Sequence, residues 1–480
     1  MRRDIAALTA REHDVLVVGG GVSGAAIAWD AALRGLQVAL VEAADFASGT
    51  SWNSLKTIHG GLRHLQRGNF VAVRASARER SAFLRIAPNL VKPLPFLVPT
   101  VGHGARGAEA LRVALVATDA LTVGRNRRLD AAHSIPRGRM LSPAETIARV
   151  PGLSAPGLTG GASWTDAQVI SSERLVLAFL HSASAEGAAA ANYVTATALR
   201  RDGSGRVTGA SCRDELGGQE IDVRARVTIN AAGPGIDGLL AAAGVTLPRV
   251  PLLRAWNLVL RRLVVPDLAV GGRAGGRFLF LVPWQGRTIA GTGYEDAAAP
   301  GKGARGFLSD VASAFPWANV TAEDVALVHE GLVPGEKGGG VLWTGHRVRD
   351  HGRDGAPGLL SALGVKFTGA RALAVEAVDA ALRSLGRSRV GSRTDTVVLH
   401  RAAPCTGSLE DSARAAVREE MAVHLEDAVL RRLDLGTAGP PSPTEVRTVL
   451  EIMAGALGWD EAARARERAN LDSFYGERRL

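Results

Sequence analysis

Residues 14–42 read DVLVVGGGVSGAAIAWDAALRGLQVALVE, and this stretch decides the fold. Asp14–Val18 is a short apolar run rich in β-branched residues, the pattern of a strand buried on both faces. Gly19–Gly24 follows, then an Ala-rich stretch to Leu33 that suits a closely packed helix, with Gly35 placed to end it. Gln37–Val41 is a second apolar strand, ending at Glu42. Strand, glycine turn, helix and strand within about 30 residues make a βαβ unit. Its glycines fall as Gly19-x-Gly21-x-x-Gly24. One permits the tight turn, the next lets backbone approach a pyrophosphate, and the third lets helix and strand close up. The positive end of the helix dipole then faces the phosphates, and Glu42 accepts hydrogen bonds from a ribose. With all parts in register, the stretch reads as a dinucleotide site.

Outward from this unit, a second glycine turn, Asn230–Pro234 (NAAGP), comes roughly 200 residues later at the end of a strand read over 223–230. A turn that returns after a long insertion suits FAD, whose extended form spans more of a protein than NAD does. Helical spacing predicts helices over 70–86 and 171–187, and 192–199 reads as a strand. Residues 92–160 are mixed and proline-rich, 251–293 alternate as an antiparallel sheet, and 361–385 begin with a glycine turn and continue as a helix. The Gly-rich run 335–340 reads as a loop. The last ~80 residues change character: 412–435 and 444–474 are charged and helical around the break GTAGPPSP. The expected class is α/β (α+β overall). A Rossmann-like FAD domain (1–95, 160–248, 330–395) carries an inserted mixed or antiparallel-sheet substrate domain (96–159, 249–329), and a helical domain follows (396–480).

Composition excludes several alternatives. Of 480 residues, 46% are hydrophobic and 22% charged, which describes a globular chain and not a disordered one. The net charge of +10 permits an anionic surface or an acidic partner but selects neither. Arginine pairs such as Arg261-Arg262 and Arg431-Arg432 have no interleaved aromatics of the kind that bind nucleic acid, and read as solvated faces or salt-bridge partners. The two cysteines, Cys212 and Cys405, form no CxxC and join no histidine cluster, so neither a metal site nor a disulfide scaffold is expected. Residues 1–13 lack the apolar core of a secretory signal, and the best candidate for a membrane-spanning run, 110–123, is interrupted by Arg112 and Asp119. A cytoplasmic protein, or one peripheral on the inner face of a membrane, is the expectation.

Thr50–Leu65 reads TSWNSLKTIHGGLRHL, and further blocks follow in order: GASWTDAQV (161–169), NAAGP (230–234), FLVPWQGRTIAGTG (280–293), SALGVKFTGAR (361–371) and AAVREEMAVHLEDAVLRRLDLG (415–436). Together these resemble the FAD-dependent glycerol-3-phosphate dehydrogenases, within the wider D-amino-acid-oxidase-like flavoproteins. The resemblance implies alcohol oxidation: a base takes the hydroxyl proton, hydride passes to flavin N5, and quinone or O₂ takes the electrons. It also implies roles by position. Gly19, Gly21, Gly24 and Glu42 hold the ADP half of FAD. Ser51, Ser54 and Lys56 follow the pyrophosphate and ribityl, while His59, Gly60, Gly61 and Leu62 run beside the flavin. Val194 offers backbone to the adenine, and Gly233 belongs to the second turn. Gly364, Val365, Lys366, Phe367 and Thr368 cover the pyrimidine edge. Arg63, His64, Arg254, Asn257, Lys366 and Arg371 face a small-molecule substrate. The candidate proton-handling and catalytic groups are Arg63, His64, His59, Lys366 and Asn257.

The departures from the family pattern cluster at the substrate end. Asn257 stands where the family carries a histidine, and an amide is no base near neutral pH. Gly331-Leu-Val333-Pro334 replaces a Gly-x-Arg-Pro phosphate clamp, with Arg347 the nearest substitute, and His64 replaces a tyrosine. Valine cannot reproduce bidentate recognition of phosphate. The expected enzyme is therefore an FAD-dependent dehydrogenase or oxidase whose substrate is not glycerol 3-phosphate itself. Two other readings stay open: an amine or amino-acid oxidase, whose deprotonated substrate needs less base catalysis, and a non-catalytic flavin-binding protein.

Overall fold

The computed structural model describes all residues except 105–106, 154–155, 300, 337–340 and 404–406, and the backbone but not the side chains of 66 and 67. The glycine run expected as a loop at 335–340 extends into this set, and Cys405 lies in it, outside the described residues.

Two large sheets organise the chain. His13–Val18 sits inside the first, between Val38–Val41 and Glu220–Asn230, all parallel and in a register that pairs Val18 with Val41 and with Asn230. Leu359–Gly364 extends the sheet in parallel, and His346–Asp350 closes that edge antiparallel. Every residue of His13–Val18 and Val38–Val41 is buried. That agrees with the apolar runs Val15–Val18 and Val38–Val41, because helices cover the sheet. Val22–Leu33 packs against Ser172–Ala185 and Ala370–Ser384, and Trp29 meets Phe179 at 5.4 Å. Its alanines present little volume, so its neighbours approach closely.

The second sheet runs from Val325–Pro334 through Leu252–Leu260, Arg287–Asp296, Arg277–Trp284, Ala269–Ala274, Val91–Val101 and Leu158–Val169 to Thr57–Ile58. Residues 251–293 are largely antiparallel, as their alternation predicts, although Ala269–Ala274 also pairs parallel with Val91–Val101. The proline-rich segment holds a surprise, an eleven-residue strand Val91–Val101 paired along Leu158–Val169. Pro93, Pro95 and Pro99 are spaced by even numbers, so their missing donors all fall on one side of that strand. Residues 160–169 and 330–334, expected in the FAD domain, thus belong to strands of the second sheet.

Other local differences have local causes. Residues 361–364 end a strand before the turn and helix expected there. The charged stretch 412–435 is not one helix: Leu409–Glu420 stops where Met421 adopts φ 58°, and a separate π-helical turn covers Asp427–Arg432. Gly458, at φ 70°, likewise divides 444–474 into Pro443–Leu457 and Glu461–Glu477. Phe70–Ile86 has the predicted bounds, capped by Asn69. The C-terminal helices pack Leu430, Val449 and Tyr475 with Val259, Ile289 and Leu327 of the second sheet. Among the described residues no helix is long and apolar enough to cross a membrane.

Candidate active site

A cavity of about 500 Å³ lies where the glycine turns of the first sheet meet the second sheet. One end is the βαβ unit. Gly19 takes φ +114°, and a Cβ there would fall 2.6 Å from the carbonyl oxygen of Ala231; a Cβ on Gly24 would sit 1.8 Å from the carbonyl oxygen of Gly19. Side chains are therefore excluded where the two turns touch and where the helix meets its strand. The helix starts at Val22 with Gly21 as N-cap and no capping side chain from that residue; Ser51 Oγ accepts from the Val22 N–H at 2.9 Å. Glu42 accepts from the N–H groups of Gly20 and, at 2.9 Å, Ala44. Burial raises its carboxyl above the usual range, against the lowering effect of those two bonds.

The other end is polar on one side and apolar on the other. Asn257, 1% exposed, donates through Nδ2 to Asn53 Oδ1 at 3.1 Å and accepts at Oδ1 from the Thr292 hydroxyl at 2.8 Å. Asn53 in turn donates to the Ala255 carbonyl. These bonds give the chain one direction, from the Thr292 hydroxyl through two amides to backbone. His59 pairs through Nδ1 with Asp166 Oδ2 at 3.1 Å, and its Nε2 lies 3.0 Å from Thr57 Oγ1. Burial alone would raise the Asp166 carboxyl. The His59 hydrogen bond, the Arg80 charge and the Gly60 N–H outweigh it and hold the group at about 2. An ionised Asp166 places the imidazole proton on Nδ1, so Nε2 presents a lone pair. Leu332, Val333, Pro334 and Leu342 form the apolar wall, and Lys366 is the only lysine or arginine among the described lining residues.

The structure brings many of the expected residues to this cavity. Gly19, Gly21, Glu42, Ser51, Ser54, His59, Gly233, Gly364, Val365, Lys366, Phe367, Thr368 and Asn257 line it, and Gly24 lies directly beneath. Others are placed elsewhere. Lys56 is wholly buried away from the cavity, ion-paired with Glu173 at 2.9 Å and bonded to Ser172 Oγ and the Trp52 carbonyl. A buried ammonium requires such partners, and here they are protein groups. Val194 spends its N–H on the Glu42 carbonyl at 2.8 Å. Gly60 and Leu62 line a separate space of about 20 Å³ beside Asp166, and Gly61 packs on Ser76. Arg63 is exposed on the 3-10 helix Leu62–Arg67, which also carries His64 away from the cavity. Arg254 is exposed and pairs with Glu330, while Arg371 is held by Glu79, with Nε–Oε2 at 2.8 Å. Arg347 stacks over Trp343 at 3.8 Å and faces Glu336. Trp256 belongs to the core of the second sheet and donates to Glu330. The sequence reading missed Asp166, Thr57, Asn53 and Thr292. Each stands within or beside a quoted motif, but nothing local marks its partner.

The donor set suits FAD: a glycine cradle, a helix N-terminus with glycine at the N-cap, a carboxylate at the end of the second strand, and a cavity continuing past the second glycine turn. Residues 14–395 match the family model described as FAD dependent oxidoreductase, and residues 374–464 match the C-terminal domain of alpha-glycerophosphate oxidase. The chain belongs to the FAD dependent oxidoreductase family, and FAD is its cofactor. Within that class it is 33% identical over 402 residues to a glycerol-3-phosphate dehydrogenase of Synechocystis sp., covering 78% of this chain and 71% of that protein. It is 32% identical to glycerol-3-phosphate dehydrogenase 2 of Mycobacterium tuberculosis, covering 96% and 88%. Its fold is similar to that of the glycerol-3-phosphate dehydrogenase from Bacillus halodurans complexed with FAD, with TM-score 0.74 at 23% identity, covering 99% of this chain and 97% of that one.

Proposed function

We infer that the protein oxidises the CH–OH group of a small alcohol that carries no phosphate. The observation that carries this is the cation content of the cavity. Lys366 is the single Lys or Arg among its described lining residues, and Val333 sits in an aliphatic wall. A phosphate monoester calls for a planar, bidentate guanidinium, which the ammonium of a single lysine does not reproduce. The arginines expected there are exposed or committed to carboxylates. One lysine beside neutral amides and hydroxyls suits a polyol or a hydroxy acid. The names of the relatives support a CH–OH donor; the difference lies in the anion.

FAD, when bound, supplies the two-electron acceptor for the C–H bond. The chain's own residues handle the proton. A substrate hydroxyl reaching His59 Nε2, directly or through Thr57 Oγ1, loses its proton to the imidazole, and Asp166 stabilises the resulting imidazolium. Asn257 takes no proton. With its Oδ1 occupied by the Thr292 hydrogen, it orients Thr292 Oγ1 so that a lone pair is left for a substrate hydroxyl.

Anaerobic loss of flavin absorbance against glycerol 3-phosphate, glycerol, other polyols, hydroxy acids and amino acids tests this. Bleaching by an unphosphorylated alcohol with silence from glycerol 3-phosphate is the expected result. Bleaching by glycerol 3-phosphate at low millimolar levels overturns the substrate assignment, and bleaching by amines alone overturns the CH–OH reading. Reoxidation of the bleached protein by air or by a soluble quinone then identifies the electron acceptor.

A further inference from the structure

The wall of the cofactor cavity between Glu42 and Ser51 is irregular chain, and seven of its residues line the cavity. Local bonds hold it at its two ends: Glu42 binds the Gly20 N–H and Ser51 binds the Val22 N–H. Its middle has backbone bonds of its own, from the Ala47 N–H to the Gly20 carbonyl at 3.2 Å and from the Tyr193 N–H to the Ala44 carbonyl at 2.9 Å, and is also held from the opposite side. Asp45 points away from the cavity, and its carboxylate is completely buried. Oδ1 accepts from Arg432 Nη2 at 2.7 Å and Asn192 Nδ2 at 2.9 Å; Oδ2 accepts from Arg432 Nη1 at 2.7 Å and Arg431 Nε at 2.5 Å. Four donors saturate one carboxylate, and two of its three partners come from the C-terminal helical region.

The arginines are themselves fixed. Both lie on the π-helical turn Asp427–Arg432, and both donate to Asp45 Oδ2 while Arg432 also reaches Oδ1. Arg431 also binds Asp427 Oδ1 at 2.7 Å, where the Tyr193 hydroxyl donates as well. Arg432 Nε donates to the Glu420 carbonyl at 3.0 Å, and Asn192 joins Asp45 to the Met421 carbonyl at 2.9 Å. Two buried cations against Asp45 and Asp427 leave the cluster neutral, the condition under which buried charge is tolerated. No described residue beyond 368 lines the cavity. Any influence of the C-terminal helices on FAD must therefore pass through contacts such as this one.

We propose that the buried Asp45–Arg431–Arg432 cluster is a clamp through which the docked C-terminal helices hold the 42–51 segment in its FAD-binding shape, so that cofactor retention depends on a domain that does not touch the cofactor. The proposal rests on FAD being the cofactor and is independent of the substrate. With the clamp released, residues 44–50 keep their backbone bonds, the Thr50 hydroxyl bond and the packing of Phe46 but lose the tether at Asp45, and the looser segment of the apoprotein must be reordered at the moment FAD binds. Affinity falls by that ordering cost.

The test is FAD binding to apoprotein, followed by flavin fluorescence. The charge-neutral double variant Asp45→Asn/Arg432→Gln should bind FAD at least about tenfold more weakly, with unchanged far-ultraviolet circular dichroism. Arg431→Lys keeps the charge but shortens the reach, and should show a smaller loss of the same sign; it decides the matter if the double variant does not fold. The control is Leu327→Ala, which weakens the apolar packing of the C-terminal helices on the second sheet without touching Asp45, Arg431 or Arg432. Wild-type affinity in the clamp variants overturns the proposal. So does an equal loss in the control, which would make docking in general, and not this tether, the support. Failure of alcohols to bleach the reconstituted flavin would count against the functional reading alone.

Discussion

Replacing Asp166 with asparagine separates the two roles that the structure gives this carboxylate. Asp166 accepts from His59 Nδ1 at 3.1 Å, Arg80 Nη1 at 2.8 Å, the Gly60 N–H at 2.7 Å and Trp164 Nε1 at 3.3 Å, and it is 3% exposed. Its folded value of about 2, against 3.8 ordinarily, corresponds to about 2 kcal/mol of stability. Because the value is depressed, that contribution is complete above the ordinary value and is lost as pH falls through about 2. An amide forfeits it at every working pH and leaves the Arg80 guanidinium buried without its anion, which brings the expected loss to about 3–5 kcal/mol. The chemical effect is separate. With a neutral partner, His59 loses both the acceptor that keeps its proton on Nδ1 and the anion that stabilises the imidazolium. General-base catalysis is worth about 10²–10⁴-fold, and a loss within that range is expected in the rate of flavin bleaching by whichever alcohol the panel identifies. Urea denaturation reads the first effect and stopped-flow absorbance the second. A variant that is less stable by the stated amount yet bleaches at the wild-type rate would refute the proton-acceptor role and leave Asp166 as a structural group.

Three further outcomes follow from the same geometry. Gly24→Ala puts a methyl 1.8 Å from the Gly19 carbonyl oxygen, and an overpacking cost of about 1–3 kcal/mol should appear as roughly 10- to 100-fold weaker FAD binding to apoprotein. Val333→Arg should place a guanidinium in the aliphatic wall, and charge-assisted bonds worth about 1.5–3 kcal/mol predict glycerol 3-phosphate binding stronger by about 10- to 100-fold, read as a perturbed flavin spectrum; unchanged binding would mean that Val333 is not where an anion sits. Burial raises the Asp434 carboxyl to about 6, although a Ser171 hydrogen bond opposes the shift, and Oδ1 has no hydrogen-bond partner. A raised value means that the stability it brings is complete below the ordinary 3.8 and is lost as pH rises through 6. Asp434→Asn, at a position with φ 54° where asparagine is at ease, should therefore be more stable than wild type by about 1–2 kcal/mol near pH 8, with the two converging near pH 4 in thermal melts.

The βαβ unit was legible because its information is local. Gly19 takes a positive φ and Gly24 packs on the Gly19 carbonyl within one turn, Glu42 follows at the end of the next strand, and apolar runs buried on both faces need no distant partner to be recognised. The helix Phe70–Ile86 was legible for the same reason. The cofactor end of the cavity, from Gly19 to Ser51 and again at Gly233 and Gly364–Thr368, came from spacing joined to family resemblance. The ion pairs could not be read in that way. A charged side chain declares its sign but not its partner, so Arg371, Arg254 and Lys56 looked free to meet a ligand until the fold supplied Glu79, Glu330 and Glu173. The polar groups of the site have the same history. His59 and Asp166 are 107 positions apart, Asn53 and Asn257 204, and Asp45 and Arg432 387. Conformational preference along the chain decays within a few residues, and pairing over such separations is set only when two sheets and a helical domain close on one another and each buried charge must find its opposite.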